Sequence, residues 1–405
     1  MQILREVANV GPARCETFVF HQCELTFRVT PIHNIVSKFL RNLCRIARLA
    51  LAVTARCIAA KRHLHIRRSP SSSVVLGFGG VLGGGGLIHG GAVKLLSLRE
   101  AFHCNEEELN ILYLVSSAQP RFAEDLVRVC RSRGIRFVWN QNGVGYPAWA
   151  GRAAEAHNVP MRRLREKADF VIYQSEFCRI SAEKFLGPCE RPFSVLLNPV
   201  NLEKFRPADA PLPSGPLRLL AMGTQNYRER VMSALDCAGV LRAGGLDCVL
   251  TIAGPLIWHN AVADLREGIA CRGLGGLVEV RAPFHQEEAP EIYRGHHILL
   301  HPKYLDPCPT VVAEALACGL PVVASRSGGI PEMVDSFCAE LVDVPLSWDR
   351  LITPSGEEMA GAVRRLVSRL AEASTAARRR AEDAFDSEKW RQRHNQIFGS
   401  ILSAS

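Results

Sequence analysis

Short apolar runs alternate with amphipathic stretches along the chain, from about residue 74 to residue 400. Most runs are continuously apolar, which is typical of strands that are buried on both faces of a parallel sheet. The stretches between them are long enough for the helices that connect parallel strands. The predicted strands are residues 74–78, 111–115, 135–139, 170–173, 217–222, 249–253, 278–281, 298–300, 321–324 and 340–342. The pattern therefore predicts an α/β protein.

The intervening segments predict helices, and one polar stretch predicts a domain boundary. Ser175 and Glu176 are suited to cap a helix start. Residues 208–216 are rich in proline and polar side chains, which favours a linker between two domains. Further helices are predicted at residues 92–102, 121–133, 357–373 and 387–400.

The βαβ unit over residues 297–332 carries the clearest chemistry. Asp306 lies in the loop before its helix, and Glu314 lies in the helix about two turns later. Both carboxylates are therefore expected to face the same cleft. A core βαβ unit whose carboxylates only cap a helix or lie in solvent also explains this pattern.

The start of the same helix is a predicted anion site. The first N–H groups of a helix have no intrahelical acceptor and lie at the positive end of the helix dipole. Those of Thr310 and Val311 are therefore expected to face a phosphate. After the second strand, Gly328 and Gly329 allow backbone to approach a ligand above the sheet closely.

The first half of the chain offers a second predicted binding region. Its first predicted strand is followed by a glycine-rich segment at residues 79–91, in which Gly84 and Gly85 allow close approach to a ligand. Asn140 and Asn142 follow a strand and precede Tyr146. Polar groups beside aromatic rings suit a sugar. A flexible loop and an ordinary Asn-Gly turn remain the alternatives.

The charge of the chain is concentrated at its beginning. The net charge is +9, and residues 1–68 contain 12 Lys and Arg against 3 Asp and Glu, leaving 37 of each in the rest. A body without net charge argues against nucleic acid as a partner. Residues 35–62 predict a basic amphipathic helix, which favours contact with an anionic membrane surface. Packing on the protein itself and a transit peptide are alternatives.

The cysteines and the hydropathy pattern bear on compartment and metal. The 14 cysteines form no C-x-x-C pair and no zinc-type cluster with histidine, so no metal site is expected. No apolar run is long enough to span a bilayer. These features favour a cytoplasmic protein, peripheral on the inner membrane face if the amphipathic helix binds there.

The segment from Asp306 to Glu332 resembles the signature of glycosyltransferase family 4, in which two carboxylates are separated by seven residues and are followed by EAxACGxPVVAS and a GGxPE turn. Asp306 takes the place of the usual glutamate. Residues 168–187 and 196–207 resemble further family segments, with Pro199 in place of the usual glycine. After Gly223, Thr224 occupies the position of the usual arginine.

The resemblance implies site residues and a substrate. Asp306 would position the donor sugar, Glu314 the ribose, and Arg230 or its rival Arg228 the diphosphate. No cofactor is implied beyond a nucleotide-sugar substrate, UDP- or GDP-linked, and a glycan or lipid-linked hydroxyl acceptor. The donor residues expected are Arg228, Arg230, Asp306, Glu314, Thr310, Val311, Gly223, Gly254, Gly328 and Gly329, and those expected on the acceptor side are Gly84, Gly85, Asn140, Asn142 and Tyr146.

The resemblance also implies a GT-B fold, with two facing Rossmann-like domains built on parallel sheets. We expect a basic N-terminal extension (residues 1–71), an acceptor-side domain (72–207), a nucleotide-sugar domain (208–385) and a C-terminal helix that crosses back to the first domain (386–405). The implied activity is sugar transfer with retention of configuration. A non-catalytic scaffold at the membrane and a sugar-nucleotide 2-epimerase are the alternatives.

Overall fold

The structure is a computed structural model that describes residues 50, 53–54, 56–58, 61, 63–83, 91–210, 212, 214–281 and 283–404. The chain divides into two compact units, Met1–Arg62 and His63–Ser405, and the second is described below. The predicted amphipathic helix over residues 35–62 lies almost wholly outside the described residues. Gly84 and Gly85 lie outside them as well.

The first half of this unit contains a six-stranded parallel sheet with the order β3-β2-β5-β6-β7-β8. Every residue of β5 is buried, as the continuous apolar run ILYLV predicts. The segment that precedes this sheet, residues 67–73, begins with a short strand, β1, that pairs with β4. The strands are β1 (Arg67–Arg68), β2 (Val75–Gly77), β3 (His103–Cys104), β4 (Glu108–Leu109), β5 (Ile111–Val115), β6 (Arg136–Gln141), β7 (Phe170–Tyr173) and β8 (Phe193–Val195).

The α-helices described beside this sheet are α1 (Gly91–Ala101), α2 (Ala123–Ser132), α3 (Pro147–Ala150), α4 (Ala154–Lys167) and α5 (Glu176–Leu186). The pattern did not predict α4, because its sequence is polar and contains Pro160. Ser175 caps α5 as expected, since its side chain accepts a hydrogen bond from the Cys178 amide.

The second half contains another six-stranded parallel sheet, with the order β11-β10-β9-β12-β13-β14. Its central strands β9 and β12 are neighbours, although β10 and β11 separate them in the sequence. The strands are β9 (Leu217–Met222), β10 (Cys248–Ala253), β11 (Val278–Arg281), β12 (Ile298–His301), β13 (Val322–Ser325) and β14 (Ala339–Val342). Two parallel-sheet α/β halves are therefore present, as predicted.

Helices cover this second sheet, and apolar clusters fill the space on both of its faces. They are α6 (Arg228–Ala243), α7 (Ala261–Cys271), α8 (Ala289–Arg294), α9 (Thr310–Ala317), α10 (Ile330–Met333), α11 (Gly356–Val367) and α12 (Leu370–Ala384). The prediction of a single helix over residues 357–373 is wrong, because two helices, α11 and α12, cover this segment. They are interrupted at Arg369, whose φ and ψ of −135° and 30° are not helical.

The last helix, α13 (Ser387–Ser403), returns to the first half. Its side chains Trp390, Ile397, Phe398 and Ile401 pack in the same apolar cluster as strands β2 and β5 of the first sheet. Among the residues that the structure describes, no helix is both long and apolar enough to cross a bilayer.

Candidate active site

The second sheet places two loops of the predicted site side by side. Strands β9 and β12 pair in parallel, so their carboxyl ends lie at the same edge. The loop after β9 contains Gly223, and the loop after β12 contains Asp306. In an open α/β sheet this edge is where ligands bind.

The carboxylate of Asp306 lies among basic side chains. Its Oδ2 atom is 2.9 Å from Nζ of Lys303 and 3.2 Å from Nε2 of His301. Both Asp306 and His301 are buried. The loop therefore presents a paired carboxylate in a largely enclosed position.

The charges around Asp306 fix the protonation of this pair. Burial would raise the pKa of Asp306, but the Lys303 ammonium and the hydrogen bond with His301 outweigh it and hold the pKa below its ordinary value. Burial lowers the pKa of His301 to about 4. At neutral pH the site contains a carboxylate and a neutral imidazole.

Arg230 continues this network on the side of β9. Its Nη2 atom donates to the carbonyl of Met222 at 2.8 Å, its Nη1 atom to that of Thr224 at 3.2 Å, and Nη2 lies 3.4 Å from Nδ1 of His301. Its Nε atom is buried and has no hydrogen-bond partner among the described residues. Burial lowers the pKa of Arg230 to about 10, so its buried cation holds the loop and retains an unused donor.

Arg228, the alternative candidate for binding the diphosphate, has a different environment from Arg230. Its Nε atom lies 3.2 Å from Oδ2 of Asp264, and half of its side chain is exposed. The two arginines are close in sequence, but helix α6 directs only Arg230 into the interior. Arg230 is therefore the one connected to Asp306.

The expected phosphate-binding backbone is closely packed. Gly223 has a φ of 103°, and a Cβ atom built on it would lie 3.3 Å from Cγ1 of Val311 in the first turn of α9. Gly254 has a φ of 112°, and a Cβ atom there would overlap the carbonyl oxygen of Gly223. The loop after β9 and the start of α9, with Thr310, thus lie against each other.

Gly328 and Gly329 were expected to approach a ligand, but they lie against the backbone of the loop that contains Asp306. A Cβ atom on Gly328 would overlap the carbonyl oxygen of Asp306, and one on Gly329 would overlap that of Pro307. The amide of Gly329 donates to the Asp306 carbonyl at 2.9 Å. These glycines therefore make room for the protein's own loop. Leu305, just before Asp306, has a φ of 48°, which is strained for a leucine.

Glu314 is held by its own set of partners. Its Oε2 atom accepts a 2.8 Å hydrogen bond from the Tyr293 hydroxyl, and its Oε1 atom accepts one of 2.8 Å from Nε2 of Gln286. Burial raises the pKa of Glu314 to about 7. Each oxygen keeps a second lone pair for a ligand hydroxyl.

In the first half, a buried lysine organises the predicted acceptor residues. Nζ of Lys94 donates to Oδ1 of Asn140 and of Asn142, each at 3.0 Å, and to Oε1 of Gln174 at 3.1 Å. Burial lowers the pKa of Lys94 to about 8. Asn140 was expected to follow the strand, but it is a buried residue within β6.

A cavity of about 550 Å³ lies where the two halves meet. Its first-half lining includes Asn142 and Tyr146, and its second-half lining includes Lys303 and Pro307, the latter adjacent to Asp306. Further apolar lining comes from Trp149, Met161, Phe177 and Leu351. The volume is in the range of small-molecule sites, about 300–1,000 Å³.

A larger cavity, of about 1180 Å³, is lined by Val74 and Asn110 among others. These two residues precede β2 and β5, so the cavity lies at the amino ends of the strands. Ligands of open α/β sheets bind at the opposite ends. We therefore assign the site to the smaller cavity and the loops beside it.

Sequence reasoning missed three residues of this region: Lys94, His301 and Lys303. A signal existed for the last two, because basic side chains at the carboxyl end of the strand ILLH directly precede Asp306. Lys94 had no such signal, since a single lysine in a helix is normally exposed.

Comparisons with known proteins find similarity within the second half. A family model described as "Glycosyl transferases group 1" matches residues 216–369. The D-inositol 3-phosphate glycosyltransferase of Arthrobacter sp. (strain FB24) is 30% identical over 154 residues, covering 36% of this chain and 36% of that protein. The enzyme of the same name from Streptomyces bingchenggensis is 32% identical over 153 residues, covering 33% of each. The chain thus spans about a third of the length of these relatives.

Solved structures extend the similarity to both halves. Anabaena Alr3699/HepE in complex with UDP has a TM-score of 0.61 at 15% identity, covering 83% of this chain and 100% of that one. A glycosyltransferase from Rickettsia africae gives a TM-score of 0.61 at 15% identity, covering 84% and 100%. The chain therefore has a GT-B fold, and its residues 216–369 carry the similarity to group 1 glycosyltransferases.

Proposed function

We propose that this protein transfers a sugar from a nucleotide-sugar donor to a hydroxyl acceptor, with retention of configuration. The observation that carries the proposal is the Asp306 loop: a match to group 1 glycosyltransferases includes it, and a cavity shared by both halves lies against it. The solved relative HepE binds UDP and UDP-glucose, which favours a nucleotide-sugar donor here.

In this proposal the donor lies along the edge of the second sheet. The first-turn amides of α9, at Thr310 and Val311, receive the diphosphate, and the buried cation of Arg230 adds a favourable potential. Glu314 accepts hydrogen bonds from the ribose through its remaining lone pairs. Asp306 accepts one from the sugar. As the glycosidic bond breaks, the diphosphate gains negative charge, which these preorganised groups stabilise.

The acceptor enters the cavity between the halves. Its hydroxyl points toward the Asp306 loop, and its body lies against Tyr146 and Trp149, whose rings are edge to face with centroids 6.1 Å apart. Aromatic walls with a few amide and hydroxyl groups suit a glycan or a lipid-linked sugar. The curated relatives are named for an inositol phosphate. A phosphate on the acceptor would need a cation, and the ammonium of Lys303 in the cavity lining is already paired with Asp306. We therefore do not propose an inositol phosphate as the acceptor of this protein.

Thermal-shift measurements on the full chain with UDP- and GDP-linked sugars test the donor. A ligand at a hundred times its Kd stabilises the folded state by about 2.7 kcal/mol. We expect stabilisation by one donor, and loss of that stabilisation in Glu314→Ala. A wild-type protein that none of these nucleotide sugars or their free nucleotides stabilises would contradict the proposal and favour the non-catalytic scaffold.

A further inference from the structure

The first turn of helix α5, in the first half, is bound by a carboxylate of the second half. Oε2 of Glu332 accepts a hydrogen bond from the amide of Glu176 at 2.6 Å, and Oε1 accepts one from the amide of Phe177 at 2.8 Å. Glu332 lies in α10, directly after Gly328 and Gly329. A carboxylate at the positive end of a helix makes charge-assisted hydrogen bonds that are stronger than neutral ones.

The same region of the first half also holds the loop that carries Asp306. Ser175 Oγ, which caps α5, donates to the carbonyl of Pro307 at 2.7 Å. Nδ2 of Asn198, in the segment between the two sheets, donates to the carbonyl of Cys308 at 2.8 Å. The backbone carbonyls of the two residues that follow Asp306 are therefore held by side chains that precede the second sheet in the chain.

The first turn of α5 also reaches the cavity. Phe177 lines it and stacks on Trp348, with an interplanar angle of 13° and centroids 5.6 Å apart. Cys178 Sγ donates to the carbonyl of Asn142 at 2.6 Å. One turn of helix thus contacts the predicted acceptor residue on one side and the Asp306 loop on the other.

We propose that Glu332 is a positioning residue that aligns the acceptor cavity with Asp306, by holding the first turn of α5 against the second half. The inference rests on the proposed function. Glu332 touches neither donor nor acceptor in this arrangement. It acts through Phe177 and Ser175, because the amides that it binds set where α5 begins relative to the loop.

The test compares the wild-type full chain with Glu332→Gln, Glu332→Asp and a control, Glu183→Gln. Glutamine places an amide NH₂ against one of the two backbone N–H groups, while aspartate keeps the charge. Glu183 lies on the same helix, but its side chain is 44% exposed and pairs only with Arg179 in the described contacts. Three quantities are measured: hydrogen exchange of a peptide spanning residues 174–180, the Kd for UDP, and release of UDP from UDP-glucose and other donors.

We expect exchange in Glu332→Gln to be about tenfold faster and UDP release about tenfold slower, as for loss of one charge-assisted hydrogen bond. The Kd for UDP should stay within about twofold, since the nucleotide site lies in the second half. Glu332→Asp should recover part of the rate, and Glu183→Gln should match the wild type.

Two failures can be distinguished. Glu332→Gln with wild-type exchange or wild-type UDP release would overturn the inference and leave the proposed function intact. An equal loss of UDP binding and turnover would also overturn it, because that indicates general disruption of the second half. A wild-type protein that neither binds nor turns over any donor would contradict the proposed function itself, which the wild type alone reveals.

Discussion

The hydroxyl of Tyr293 donates a 2.8 Å hydrogen bond to Glu314, the carboxylate that the family resemblance implies as the ribose contact. Both side chains are buried. Tyr293 comes from α8 and Glu314 from α9, so packing between two helices fixes the orientation of the carboxylate. The same packing removes Glu314 from water, which raises its pKa to about 7.

This shift predicts how stability depends on pH. The pKa of Glu314 rises from 4.5 when unfolded to about 7 when folded, so the native state binds the extra proton between these values. The contribution of Glu314 to the free energy of unfolding should therefore fall as pH rises from 4.5 to 7, by on the order of 3 kcal/mol. Glu314→Gln cannot ionise and should be more stable than the wild type at pH 8, but not at pH 4.5. Urea unfolding midpoints at both pH values check this, and a variant less stable than wild type at pH 8 would refute it.

Gly329→Ala should displace the Asp306 loop. The added Cβ atom would overlap the Pro307 carbonyl oxygen and lie 2.9 Å from Oγ of Ser175. Overpacking of this kind typically costs about 1–3 kcal/mol. We expect a lower melting temperature and reduced release of UDP from the donor. Gly275→Ala is the matched control, since nothing lies within 4 Å of its Cβ position, and equal behaviour of the two variants would rule out this role for Gly329.

Lys94→Met should weaken the acceptor side of the site. The substitution leaves three amide oxygens without their donor, two of them on the buried side chains Asn140 and Gln174, which costs about 1–3 kcal/mol. A double-mutant cycle with Asn142→Ala, followed by chemical denaturation, measures how much of this loss passes through Asn142. We expect a coupling of about 1 kcal/mol. Additive losses would show that Lys94 does not orient Asn142. Lys184→Met, at an exposed position, should have little effect.

His394 should make the attachment of α13 sensitive to acid. Burial lowers its pKa to about 3, and its Nε2 atom lies 3.2 Å from the Tyr113 hydroxyl in β5. The unfolded chain takes up the proton first as pH falls below 6.5, so stability is lost in acid, by roughly 2 kcal/mol at pH 5. The melting temperature of His394→Gln should therefore fall less between pH 7 and pH 5 than that of the wild type. A variant of the exposed His259, His259→Gln, should retain the wild-type slope, and an unchanged slope in His394→Gln would contradict the assignment.

Most strands were predictable because they are short apolar runs with both faces buried. Ile111–Val115, Phe170–Tyr173 and Leu217–Met222 are such runs and have the predicted bounds. The edge strand Val278–Arg281 has them as well, although most of its residues are exposed. The helix α4 was not predictable in this way, since its side chains are largely polar and Pro160 lies inside it. Its position follows from packing against neighbouring helices rather than from an apolar stripe.

The candidate site, like the fold, was only partly predictable from the sequence. The spacing of Asp306 and Glu314 identified them and placed them on one βαβ unit. Gly328 and Gly329 were expected to face a ligand, but in the structure they lie against the backbone of Asp306 and Pro307. Glu332 was visible only as the end of a motif. Its partners, the amides of Glu176 and Phe177, lie about 155 residues earlier.

The amino-acid sequence was enough to predict the two parallel-sheet halves and the loop that carries Asp306, because apolar runs typical of buried strands and the spacing of carboxylates around a helix start are local properties. His301 and Lys303 lie within five residues of Asp306, so their contacts with it are local. The folded structure was needed to show that Arg230 lies beside His301, that Lys94 is buried among amide oxygens, and that Glu332 caps α5. These three contacts join segments distant in sequence, and they form where the order of strands in the sheets brings their carboxyl ends together.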